Sequence, residues 1–223
     1  MADPNSRAGT TYWTPEIEAY LRELNASETP AMKDAIAAGE AAGMPKIQVS
    51  PTDGRIIEVL LRMVGARKVV ELGTLFGYSA LWILKALPPD GHLWTVEYSA
   101  KHREVAQGVL ERAGLADRVT LLLGAGLDVL PTIEREGPFD AVFVDADKPS
   151  YPGYAEWGIR NLRPGGIVIG DNTYLFSRLV GPVENENQAR DQRAMQAFHE
   201  LLARECESVT IPTPDGLTVA LKR

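Results

Sequence analysis

From Lys68 onward, short apolar runs alternate with helical patterns, and this rhythm constrains the fold more than any other feature of the chain. Lys68-Val69-Val70-Glu71-Leu72 is β-branched and runs into a glycine turn, which predicts a buried strand. Ser79 to Leu87 reads as a helix stopped by Pro88-Pro89-Asp90-Gly91. The alternation continues with a strand over His92 to Glu97 and a helix over Ala100 to Ala113. A third strand covers Val119 to Leu123, followed by a short helix near Gly126 to Glu134. A strand over Phe139 to Val144, a helix over Tyr154 to Asn161 and a strand over Ile167 to Gly170 come next. The long helix Asp191 to Arg204 then leads to Val209 to Ile211 and Leu217 to Leu221. Strands separated by helices form parallel β-α-β units in an open sheet covered on both faces. The last two strands are too close for a helical crossover and must pair antiparallel. The expected architecture is α/β, a seven-stranded, mostly parallel sheet with one antiparallel edge strand.

Ahead of this sheet, Thr14-Pro15-Glu16 is a helix start, with Ile17, Tyr20, Leu21 and Leu24 at helical spacing. Two more helices are expected over Ala31 to Ala42 and Thr52 to Val64. Residues 1–10 are small and polar, so residues 1–13 are expected to be a flexible N-terminus and 14–223 one domain. A net charge of −7 argues against a broad nucleic-acid face, which would be basic. One cysteine, Cys206, excludes an internal disulfide and a thiolate metal site; His92, His102 and His199 lack metal-ligand spacing. With no signal-peptide core at the start and no long apolar run, a cytoplasmic protein is expected.

Ligands of open α/β sheets bind beyond the carboxyl ends of the strands. There the sequence places Glu71, Glu97, Asp145, Asp147 and Asp171. Any one of these could be a helix cap, but a row of them asks for a cation, because crowded carboxylates repel and desolvate one another. The first turn, Glu71-Leu72-Gly73-Thr74-Leu75-Phe76-Gly77, lacks the glycine pattern of a dinucleotide site, with Leu75 where the second glycine would stand. A phosphate-free, cationic cofactor such as S-adenosylmethionine suits it better. Gly73 and Gly77 would admit its amino-acid end, and Glu97 would accept its ribose hydroxyls. Asp145, Asp171 and Asn172 offer only oxygen donors, which select Mg²⁺, Mn²⁺ or Ca²⁺. Lys148, beside that ion, is a candidate general base.

Taken together, several motifs resemble the cation-dependent class I O-methyltransferases, the catechol and caffeoyl-CoA type with many bacterial members. The carriers are Gln48-Val49-Ser50-Pro51 with Gly54, Glu71-Leu72-Gly73 through Gly77-Tyr78-Ser79, and Val96-Glu97. Others are Arg112-Ala113-Gly114-Leu115-Ala116-Asp117-Arg118-Val119, Val144-Asp145-Ala146-Asp147-Lys148 and Arg163-Pro164-Gly165-Gly166. Asp171-Asn172 and Asp215-Gly216-Leu217-Thr218 complete the set. The resemblance implies a Rossmann-like fold, metal ligands at Asp145, Asp171 and Asn172, and a base at Lys148. It implies cofactor contacts at Val49, Glu71, Gly73, Leu75, Ser79, Glu97, Tyr98, Ala125 and Asp145. It also implies a catechol-like small-molecule acceptor and a homodimer. The alternative acceptor is a hydroxyuridine in tRNA, and a nucleotide-binding module or a non-catalytic scaffold are the readings outside that chemistry. The run after Asn172, Thr173-Tyr174-Leu175-Phe176, and Ile47 before Gln48 depart from the family pattern, so the acceptor pocket is where this chain differs.

Overall fold

The computed structural model describes Asn5 and residues 12–223. The expectation for residues 1–13 therefore lies, apart from Asn5, Tyr12 and Trp13, outside the described residues. Helices α1 (Pro15–Asn25), α2 (Pro30–Ala41) and α3 (Pro51–Met63) come first. Each has a hydroxyl N-cap followed by proline: Thr14 accepts from the Ile17 amide, Thr29 from Met32 and Ser50 from Asp53. The apolar stripe of α1 stays open to solvent, and none of its residues is buried.

Among the described residues, one seven-stranded sheet forms in the order β3-β2-β1-β4-β5-β7-β6. Its strands are β1 (Lys68–Leu72), β2 (His92–Glu97), β3 (Val119–Leu123), β4 (Phe139–Val144), β5 (Leu162–Gly170), β6 (Cys206–Ile211) and β7 (Leu217–Lys222). The first five pair parallel; β7 runs antiparallel to β5 and β6. The remaining helices are α4 (Tyr78–Ala86), α5 (Ala100–Arg112), the short α6 (Gly126–Val129), α7 (Tyr151–Asn161) and α8 (Glu186–Glu205). Among the described residues no helix is long and apolar enough to cross a membrane.

The two-residue period of a strand divides the core into two layers. Val69, Ala141, Phe143, Ile167 and Ile169 pack with α2, α3, α4 and α5. Val70, Leu72, Val142, Val144 and Val168 pack with α7 and α8, including Phe198. Glu71 shares the face of Val69 and is therefore driven into the first layer, where it is fully buried.

Four elements begin three or more residues earlier than the patterning indicates, among them α7, which starts at Tyr151 rather than Tyr154. Helix α8 starts at Glu186 rather than Asp191, because Asn185 caps it through the Gln188 amide while its first turn has no apolar residue to reveal it. Strand β5 starts at Leu162, since Phe139 pairs with Leu162 before the register shifts around the Pro164-Gly165-Gly166 segment. Strand β6 starts at Cys206, whose thiol is buried in the second layer.

The strand ends are tied into one staircase. The amide of Gly124 donates to the Glu97 carbonyl, Gly73 to Val96, Asp145 to Leu72 and Asp171 to Val144, at 2.9–3.0 Å. At the step between β1 and β4, a Cβ on residue 73 would overlap the Asp145 carbonyl, and Gly73 has φ 95°. The glycine is required there by the neighbouring backbone as well as by its left-handed conformation. Gly73→Ala is expected to cost at least about 2 kcal/mol, read as a lowered midpoint in urea unfolding; an unchanged midpoint would contradict this account.

Candidate active site

The staircase opens on a cavity of about 950 Å³. Its wall includes Val49, Gly73, Leu75, Ser79, Glu97, Tyr98, Ala125, Asp145, Lys148 and Asn172, so most of the expected site residues converge here. Two do not reach the wall. Glu71 and Asp171 lie just behind it, both buried.

At one end of the cavity, Glu97 sits beyond β2 with its carboxylate held by backbone. Oε2 accepts the Leu75 amide at 2.8 Å and Oε1 the Ser99 amide at 2.9 Å. A carboxylate has about four lone-pair positions, so each oxygen can still accept a ligand hydroxyl. His102 places Nδ1 3.4 Å from Oε1 and also lines the cavity. Sequence reasoning set His102 aside as a metal ligand and missed this role; the signal was its place one turn into the helix capped by Ser99, just after Glu97. Tyr98 is 81% exposed at the rim.

Behind the first turn, Glu71 belongs to a chain of buried hydroxyls. Thr95, its register partner on β2, donates to Oε2 at 2.6 Å, and Thr95 Oγ1 lies 2.5 Å from Thr74 Oγ1. Oε1 is buried without a well-formed hydrogen bond, although the Ser79 hydroxyl is near enough to favour its charged form. Burial is the main cause that lifts the Glu71 carboxyl to about 7; the Thr95 and Ser79 hydroxyls pull it down, and the negative charges of Asp145 and Glu97 push it up.

At the other end stand Asp145, Asp171, Asn172 and Lys148. The Lys148 ammonium is 3.2 Å from Asn172 Oδ1, 3.4 Å from the Asp171 carbonyl and 3.7 Å from Asp145 Oδ1. Burial raises the pKa of Asp145; burial first, and then repulsion by Asp145, raise that of Asp171 to about 8. Burial lowers that of Lys148, against the opposing pull of Asp145, Asp171 and Asp215. Asn172 adopts φ 52°, a left-handed conformation that asparagine tolerates better than most residues. Among the described residues no three carboxylate, imidazole or thiolate groups meet at one point, so the donor set is two carboxylates and one amide oxygen. That set is hard and all-oxygen, and its two carboxylates are left short of countercharge. It fits Mg²⁺, Mn²⁺ or Ca²⁺ and does not fit a thiophilic metal.

Asp147, also in the expected row of acids, lines the cavity but is engaged in local hydrogen bonds. It accepts from Ser150 Oγ at 2.5 Å and from Tyr154 at 2.8 Å. Phe176 joins the wall and Tyr174 does not. Tyr174 packs instead under Gly216, where a Cβ would strike its ring. Ile47 and Leu127 stand open on the cavity's side.

The family model for O-methyltransferases matches residues 22–223. A catechol O-methyltransferase of Mycobacterium tuberculosis is 37% identical over 212 residues, covering 94% of this chain and 96% of that protein. A catechol O-methyltransferase of Niastella koreensis is 38% identical over 214 residues, covering 92% and 96%. Among solved structures, an O-methyltransferase from Streptomyces achromogenes in complex with S-adenosylmethionine superposes with a TM-score of 0.84. It is 35% identical and covers 93% of this chain and 96% of its own.

The buried Glu71 carries a pH signature. Its pKa is higher folded, about 7, than the ordinary 4.5, so its contribution to stability is full below about pH 4.5 and is lost as pH rises through about 7. Relative to Glu71→Gln, the ligand-free wild type should therefore lose up to about 3 kcal/mol across that window, seen in urea unfolding at several pH values. A pH-independent difference between the two proteins would refute the burial argument.

Proposed function

The chain belongs to the O-methyltransferase family, and from that premise we propose that it transfers a methyl group from S-adenosylmethionine to one hydroxyl of a vicinal aromatic diol, with a divalent cation held by Asp145, Asp171 and Asn172. The observation that carries this reading is that Asp145, Asn172 and a desolvated Lys148 meet on the wall of one cavity, with the Asp171 carboxylate buried just behind it.

When bound, the sulfonium supplies the methyl group and the cation supplies the Lewis acidity that makes a diol hydroxyl easier to ionise. The chain does the rest. Lys148 Nζ accepts the proton of the attacking hydroxyl, a task suited to an amine whose pKa burial has lowered. The amide-held Glu97 carboxylate receives the ribose hydroxyls without first having to be ordered. Tyr98 and Ala125 would hold the adenine end of the cofactor, and Val49, Gly73, Leu75, Ser79 and Asp145 its methionine end. Glu71, behind the wall, adds negative charge at that end. Ile47 and Phe176 flank the acceptor with apolar surface, which suits a planar ring. A hydroxyuridine in RNA would instead bring phosphates to a cavity whose wall carries Glu97, Asp128 and Asp147.

The test is incubation with S-adenosylmethionine, Mg²⁺ and a panel of catechols, with and without EDTA. Methylation of at least one vicinal diol, abolished by EDTA and restored by Mg²⁺, is expected. Turnover indifferent to EDTA, or methylation of no diol, would refute the proposal. Asp145→Ala should lower both Mn²⁺ affinity and kcat by at least about 10-fold. Lys148→Met should lower kcat by about 10²- to 10⁴-fold while Mn²⁺ still binds. A Lys148→Met enzyme with near-normal kcat would remove the lysine from its assigned role.

A further inference from the structure

Tyr151 opens α7 and is fully buried. Its ring stands edge-on to Phe198 of α8, centroids 5.3 Å apart at 70°, so the second core layer fixes where the phenol lies. The phenol oxygen sits where β4 and β5 end. It donates to the Asp171 carbonyl at 2.9 Å, with the Val144 carbonyl 3.2 Å away. That Val144 carbonyl already accepts the Asp171 amide, the rung that joins the two strand ends.

A phenol has one proton to donate and lone pairs with which to accept. The proton of Tyr151 is committed to the backbone. Toward Lys148 it can only accept, and Nζ lies 2.5 Å away. This is the shortest of the contacts around the amine. The others are Asn172 Oδ1, the Asp171 carbonyl and Asp145 Oδ1. Two of those oxygens, on Asn172 and Asp145, are the ones assigned to the cation. Once they face an ion, Tyr151 becomes the principal remaining anchor for Lys148.

A lysine amine on its four-carbon stem otherwise turns freely and samples several directions. A neutral amine has two N–H bonds and one lone pair. If one N–H stays on Tyr151, the lone pair is confined to directions away from the strand ends. We propose that Tyr151 is a positioning residue which aims the Lys148 lone pair at one of the two hydroxyls of the diol, and so sets which oxygen is methylated. This inference rests on the proposed function and deepens it.

Tyr151→Phe keeps the ring and removes only the oxygen. With protocatechuate as acceptor, the ratio of the two monomethyl ethers should move toward equality. The kcat should fall by about 10- to 100-fold, and KM for S-adenosylmethionine should stay within about twofold. A purely structural role would lower stability and rate together and leave the product ratio alone. A second readout needs no turnover. In ligand-free ¹⁵N-labelled protein in mildly acidic buffer, the amine of Lys148, assigned by its loss in Lys148→Met, should exchange slowly with water. In Tyr151→Phe that protection should disappear. A wild-type product ratio in Tyr151→Phe, or a Lys148 amine still protected there, would overturn the positioning role. A wild type that methylates no diol would instead refute the reading on which it rests.

Discussion

The two turns that border the cavity beyond β1 and β4 touch each other through a missing side chain. The carbonyl of Asp145 fills the space in which a Cβ of residue 73 would stand. Because β1 and β4 are neighbours in register, Leu72 beside Val144, this approach fixes how far the turn after β1 can sit from the turn after β4. The first turn presents its Leu75 amide to Glu97, and the second presents Asp145 and Lys148. The spacing between the two ends of the cavity is thus set by backbone packing, and its rim residues inherit that spacing. A site built on such a framework needs little reordering when ligands arrive, which is where positional catalysis gains its advantage.

Charge is arranged around this framework so that carboxylates are held in tension. Asp145 and Asp171 are desolvated and close, and Lys148 offsets them only in part. Glu71 is still deeper, supported by hydroxyls and without a cationic partner among its immediate neighbours. A cation bound beside them would offset both groups, and relief of this electrostatic strain would contribute to its binding.

Much of this was legible in the residues. Strand and helix periods gave the sheet, and chain direction then placed Glu97, Asp145, Asp171 and Asn172 at one edge without any tertiary information. The depth of Glu71 was also available, since alternation puts it on the face of Val69, but its position in the turn motif drew attention to the cofactor instead. Other features were beyond reach. Tyr151 looks like an ordinary helix-opening aromatic until β5 arrives beside β4 and brings the Asp171 carbonyl to it. The early start of α8 depends on one asparagine cap in a polar stretch, and the start of β5 on pairing across a register shift. Local patterns carry burial and period, while partners supplied by a distant strand leave no mark in them.

Asn172 shows what such a framework does to sequence change. Its backbone is held at φ 52°, in the region where glycine is free, asparagine and aspartate are tolerated and branched residues are strained. Leu75 takes the same φ of 52° in this chain, so other residues are admitted at a cost, with glycine and aspartate the least strained replacements. Glycine gives up the donor, and aspartate keeps the shape but adds a third negative charge beside Asp145 and Asp171. Drift at position 172 is steered by the backbone toward changes that either empty one place in the donor set or alter its charge by one. Under the proposed donor set, a single step at position 172 would alter the site without disturbing the sheet that supports it.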